Sequence, residues 1–290
     1  MDRSIYHTQT MTAQQYCQEK VLRQGSNLYY SLRFLPIEQR DTLLALHAFF
    51  SEISDIRYKC QDTGVALLKF QWWQEEMAQT FAGTPHHPIC QALSEPIRHY
   101  QLVEHYFQEI IEGFLLDLKL TRYATFDELE DYCKCTSSVL NQLCTHVLGY
   151  QNETTLKYAE QLGIALQLTY ILRDLRPDIL KGRLYIPQEE LVRFKVSEQS
   201  LFNSQLSETV QALFAYQATR IRAYSHNAFK YLSKKDRFNQ RSSLIRAQLA
   251  LATLQEMEND GFQLFKHRIH LTPLRKLWIT WRTVWQVRMW

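Results

Sequence analysis

The chain has 290 residues, 46% of them hydrophobic, and a net charge of +3 spread along its length. That length and apolar content support a large buried core and exclude a disordered chain, while so weak and dispersed a charge gives no ground for a nucleic-acid partner. With only 8 glycines and 7 prolines, the composition favours few turns and long helices.

The opening MDRSIYHTQTMTAQQYCQEK has no apolar stretch of the kind a signal peptide needs. Pro36 opens a long amphipathic helix reaching about Tyr58. A second covers 62–82 and ends at Gly83-Thr84-Pro85, and Pro96 opens a third that runs through EIIEGFLLDLKL. Thr125 and Glu128 form a T-x-x-E capping box for a helix ending near Gly149. Within it, Cys133 and Cys135 read as packed thiols rather than a zinc site.

The segment 154–175 sets Leu162, Ala165, Leu166, Thr169 and Leu172 at helical spacing. Pro187 with Gln-Glu-Glu begins a short helix, further helices cover 206–233 and 240–266, and a last one starts at Pro273. No alternating strand pattern competes. The reading is one all-α domain over 1–272 followed by a terminal helix, 273–290. No apolar run approaches the roughly 18 residues of a membrane span, and a reducing cytoplasm is the expected setting.

Asp174 and Asp178 interrupt the apolar pattern. On a helix Asp178 falls about 40° from Asp174, Gln167 about 20° and Tyr170 about −40°, so the four form one polar stripe. Mg²⁺ takes one or two carboxylates and completes its shell with waters and phosphate oxygens, so this pair could hold one. Arg173, Arg176 and Lys181 lie close by and could equally neutralise the acids as a solvated face.

The stretch QLTYILRDLRPDILKGRLYIP, 167–187, resembles the second aspartate-rich motif of the squalene/phytoene synthases, including presqualene diphosphate synthases. The likeness extends to SNLYYSLRFLPIEQRDTLLALHAFF, to KFQWWQEEMAQTFAGTPHHPICQAL, to YCKCTSSVLNQL and to FKHRIHLTPLRKLW. It implies an all-α isoprenoid synthase fold with two aspartate-rich helices facing each other across a central apolar cavity. The implied reaction is the head-to-head condensation of two prenyl diphosphates through a cyclopropyl intermediate, with Mg²⁺ bridging carboxylates and diphosphate. By resemblance Asp174 and Asp178 would hold metal, and Gln167, Tyr170, Arg183 and Tyr185 would meet substrate. Asp117 reads as a satisfied structural aspartate.

The partner motif, D-D-x-x-D, falls on ALHAFFSEISDIRYK. Ser54 stands for the first aspartate, Asp55 for the second and Tyr58 for the third. The stripe facing the cavity would be His47, Ser51, Ser54 and Tyr58, none of them a carboxylate. Asp55 lies about 100° away and joins that face only if the helix is rotated; it is kept as a substrate-binding candidate. The family usually has Tyr at position 47 and Arg at 51. Asn27, Tyr170, Pro177, Ser137, Ser138 and Asn141 depart from its pattern as well.

The tail LRKLWITWRTVWQVRMW gathers Leu274, Leu277, Trp278, Trp281, Val284, Trp285 and Met289 on one face, with Lys276, Arg282, Thr283 and Gln286 elsewhere. An interfacial membrane helix and a helix docked on protein both fit that composition. Two functional readings follow. The eroded stripe favours lost or altered catalysis in an isoprenoid-binding or assembly scaffold. The retained second motif keeps an active presqualene diphosphate or squalene synthase-type prenyltransferase as the alternative.

Overall fold

A computed structural model of the chain describes residues 11–60 and 62–288. Helix α1 (Ala13–Val21) is closed by a Thr12–Gln15 capping box, and α2 (Asn27–Leu32) is capped by Ser26. Helix α3 (Ile37–Lys59) follows Pro36 and buries Leu43, Leu44, Leu46, Phe49, Ile53 and Ile56. Asp62 caps α4 (Thr63–Ala82), which ends on Gly83 at φ +91°, a left-handed residue that glycine adopts without strain.

The expected third helix is two. Pro96 lies inside α5 (Pro88–His99), whose first turn is set by Pro88 and a His87 side-chain cap. Gln101, at φ 52°, then breaks the chain before α6 (Glu104–Lys119). After the Thr125 cap, α7 (Phe126–Cys133) passes through a π segment, Lys134–Ser138, into α8 (Val139–Leu148).

The second half comprises α9 (Thr154–Arg173), α10 (Leu175–Leu180), α11 (Gln188–Phe194), α12 (Glu198–Phe202), α13 (Glu208–Tyr231), α14 (Arg241–Asn259) and α15 (Pro273–Arg288). Helix α14 stops short of the expected residue 266, because Gly261 and Phe262 both take positive φ. Among the described residues no strand forms; Arg122 and Leu184 make an isolated bridge. The all-α fold is the one expected. The first half of the opening segment, and Met289 and Trp290 of the tail, lie outside the described residues.

The main core joins Phe49, Phe70, Phe107, Phe114, Tyr123, Tyr132 and Phe214, each such burial contributing roughly 1.5–3 kcal/mol. Helix α9 packs along α13, and Tyr158, Leu162 and Leu166 meet Ala228, Leu232 and Ala247. Gly163 lets α9 close on the π segment: a Cβ there would stand 2.3 Å from Ser138 Cα. Ile279 and Val284 dock α15 onto Tyr30, Ile245, Leu249 and Leu271. Its outer face carries Leu274, Leu277, Trp278, Trp281 and Trp285, all exposed. Among the described residues no helix is long and apolar enough to cross a membrane.

Candidate active site

Two carboxylates hold the end of α9 and the start of α10. Pro177 has no N–H to offer the Arg173 carbonyl, and the helix breaks at Asp174, whose φ and ψ are −100° and 18°. The Asp178 N–H still bonds the Asp174 carbonyl at 3.1 Å, so the two side chains remain one turn apart. A cavity of about 280 Å³ is lined by both aspartates with Gln167, Tyr170, Ile171, Pro177 and Tyr185, and by Arg57, Tyr58 and Arg268 from elsewhere in the chain.

The aspartates differ in what surrounds them. Asp174 Oδ1 accepts from Arg173 Nε (2.9 Å) and Arg268 Nε (2.7 Å), and Oδ2 from Arg173 Nη2 (2.6 Å) and Arg268 Nη2 (2.9 Å). Burial works to raise this carboxyl, but the two guanidiniums hold it below the ordinary aspartate range. Asp178 Oδ1 accepts from the Tyr58 hydroxyl at 3.0 Å and has no guanidinium bonded to it. Burial pushes its pKa up to about 6.

Behind Tyr58 lies a buried hub. Asp117 is fully buried and accepts from Tyr123 (2.8 Å), Tyr185 (3.0 Å) and Arg183 (3.3 Å). The Arg57 guanidinium completes the set: it pairs with Asp117 and donates to Tyr132 (2.8 Å), Tyr185 (2.7 Å) and Tyr58 (2.8 Å). Lys181 Nζ sits 4.1 Å from the Tyr58 ring centre. Arg57 and Arg268, which the sequence pattern did not single out, thus join the site, with Lys181 beside them. Arg57 stands about −60° from Ser54 on the helical wheel, a signal within reach. Arg268, 94 residues from its partner, gives no local signal.

Of the eroded stripe only Tyr58 lines this cavity. The Ser54 hydroxyl donates to the Ser51 carbonyl at 3.1 Å, and Asn27 begins α2, which packs on α14 and α15. His47 is enclosed near Arg246, which donates to Asn141 Oδ1 at 3.4 Å, and burial with that charge holds its imidazole well below the ordinary pKa. Its Nε2 has no partner. Asp55 does not join the site. It pairs with Lys20 (3.2 Å) and Lys59 (2.6 Å) and lines a separate cavity with Tyr16, Glu52 and Trp72. Arg183 stands behind Tyr185, its Nη1 bonded to the Asp117 carbonyl at 2.8 Å.

The expected Mg²⁺ does not fit this donor set. Four charge-assisted bonds engage the roughly four lone-pair sites of Asp174, and α3 presents a phenol where a second carboxylate would be needed. Asp178 alone is left, beside two cations. Among the described residues no three His, Cys, Asp or Glu side chains converge to hold a metal. All six cysteines, Cys133 and Cys135 included, are free thiols.

A family profile described as squalene/phytoene synthase matches residues 21–275. The chain is 28% identical over 280 residues to a 15-cis-phytoene synthase from Synechococcus elongatus, covering 91% of this chain and 90% of that one. Among solved structures, a dehydrosqualene synthase in complex with ligand superposes with a TM-score of 0.85 at 20% identity, over 96% of this chain and 97% of that one. A squalene synthase from Alicyclobacillus acidocaldarius gives 0.76, also at 20% identity, over 86% and 94%.

Proposed function

The chain belongs to the squalene/phytoene synthase family, and on that premise we propose that it binds a prenyl diphosphate or related isoprenoid, with head-to-head condensation lost or altered. One observation carries the reading. Where the partner motif would offer carboxylates to metal, α3 offers the Tyr58 hydroxyl, already bonded to Asp178, with the Arg57 guanidinium beside it. Ionising an allylic diphosphate requires the developing polyanion to be neutralised by positioned cations. A metal cluster that does this needs ligands from both walls. Here one wall has none.

What this chain retains is a binding wall. Gln167, Tyr170 and Tyr185 line the cavity with Asp174 and Asp178, and Arg183 and Tyr185 are fixed in place by Asp117. In a scaffold role the bound isoprenoid would remain intact. The exposed tryptophan face of α15 supports a peripheral seat at a lipid surface. Incubation of the purified protein with farnesyl diphosphate and Mg²⁺ tests the reading. We expect neither diphosphate release nor a cyclopropyl product. Steady turnover that Asp174→Asn abolishes would overturn it in favour of an active prenyltransferase.

A further inference from the structure

The mismatch between this donor set and Mg²⁺ has a positive side. At the cavity and in the layer directly behind it, five basic side chains, Arg57, Arg173, Lys181, Arg183 and Arg268, meet three carboxylates, Asp117, Asp174 and Asp178; of these Arg57, Arg268, Asp174 and Asp178 line the cavity itself. Cationic charge is therefore in excess before any metal is added. It is also built in: the Arg57 side chain is only 7% exposed and that of Arg183 only 8%.

Several of these donors are not engaged by an acid. Arg57 Nε is buried without a partner. Arg173 and Arg268 each engage Asp174 through Nε and Nη2, which leaves Nη1 of both outside that pairing. Lys181 meets an aromatic face rather than an acid. Asp174 acts here as a clasp that brings two guanidiniums together. Planar guanidinium forks match phosphate oxygens and need no metal to do so.

We propose that this cavity holds the diphosphate group of its ligand with protein cations in place of a divalent metal, Arg57 supplying charge beside Tyr58 and Asp178. The inference rests on the prenyl diphosphate reading above. It assigns to Asp174 the role of positioning Arg173 and Arg268, not of ligating metal.

The test is calorimetric titration of the full chain with an unreactive thio-analogue of farnesyl diphosphate, once in EDTA and once in excess MgCl₂. Equal dissociation constants, within about threefold, are expected, since the guanidinium contacts are the same in both buffers. Arg268→Gln and Lys181→Gln lie toward the surface and should leave the fold intact. Each should weaken binding about tenfold in both buffers. Binding weakened by more than about tenfold in EDTA would overturn the metal-free proposal while leaving the ligand reading standing. No binding in either buffer would overturn both. Unchanged affinity in both variants would also overturn the proposal, because the cations would then not carry the ligand.

Discussion

At the scale of single residues, burial decides which acids matter. Asp117 neutralises a guanidinium in the protein interior and is reached by two phenols, Tyr123 and Tyr185, and by two arginines, Arg57 and Arg183. Asp117→Asn leaves Arg57 buried without its counter-charge, a loss of about 3–5 kcal/mol. Thermal denaturation should show a midpoint lowered by roughly 10 °C; an unchanged midpoint would mean the hub is not formed. Asp55, half-buried beside Lys20 and the exposed Lys59, is the contrast: Asp55→Asn should shift stability by only about 1 kcal/mol. His47 yields a pH prediction. Its folded pKa lies below its unfolded value of about 6.5, so the unfolded chain takes up the proton first and stability, full above that value, falls as pH falls. Between pH 7.5 and 5.5 that loss is about 1 kcal/mol, and urea denaturation of His47→Gln should lack it.

At the scale of elements, close approach and an outward-facing stripe make separate demands. Gly163 lets the α9 backbone meet the π segment, so Gly163→Ala must push two helices apart and should destabilise by about 1–3 kcal/mol or more. A chemical denaturation midpoint equal to wild type would contradict that geometry. On α15 the docked side is Ile279, Thr280, Thr283 and Val284, while three tryptophans face outward. Trp281→Ser with Trp285→Ser should therefore lower affinity for anionic vesicles about tenfold with no change in melting temperature. Equal cosedimentation of variant and wild type would remove the lipid surface as the occupant of that face. The sequence pattern grouped Val284 with the tryptophans, yet it docks inward. Periodicity finds a face but not which of two apolar flanks turns to the core. Pro96 misled for a similar reason: a proline marks a helix start in general, and here Pro88 with its His87 cap had already made one.

At the scale of the whole molecule, what was legible is what local spacing can carry. Gln167, Tyr170, Asp174 and Asp178 lie within four helical turns and line one cavity. The all-α class followed from periodicity and scarce glycine. The Arg268 clasp and the Arg57–Asp117 pair join segments 94 and 60 residues apart, a distance at which one sequence carries no pairing signal. That separation has a consequence in time. Arg57 bonds Tyr185 across 128 residues, and a ribosome adding about 5–20 residues per second needs roughly 6–25 s to make that stretch. Throughout that interval the nascent chain carries Arg57 and, from midway, Asp117, with the last wall of their enclosure still unsynthesised. The order of synthesis thus dictates that the ion pair can form first and be sealed from water only afterwards.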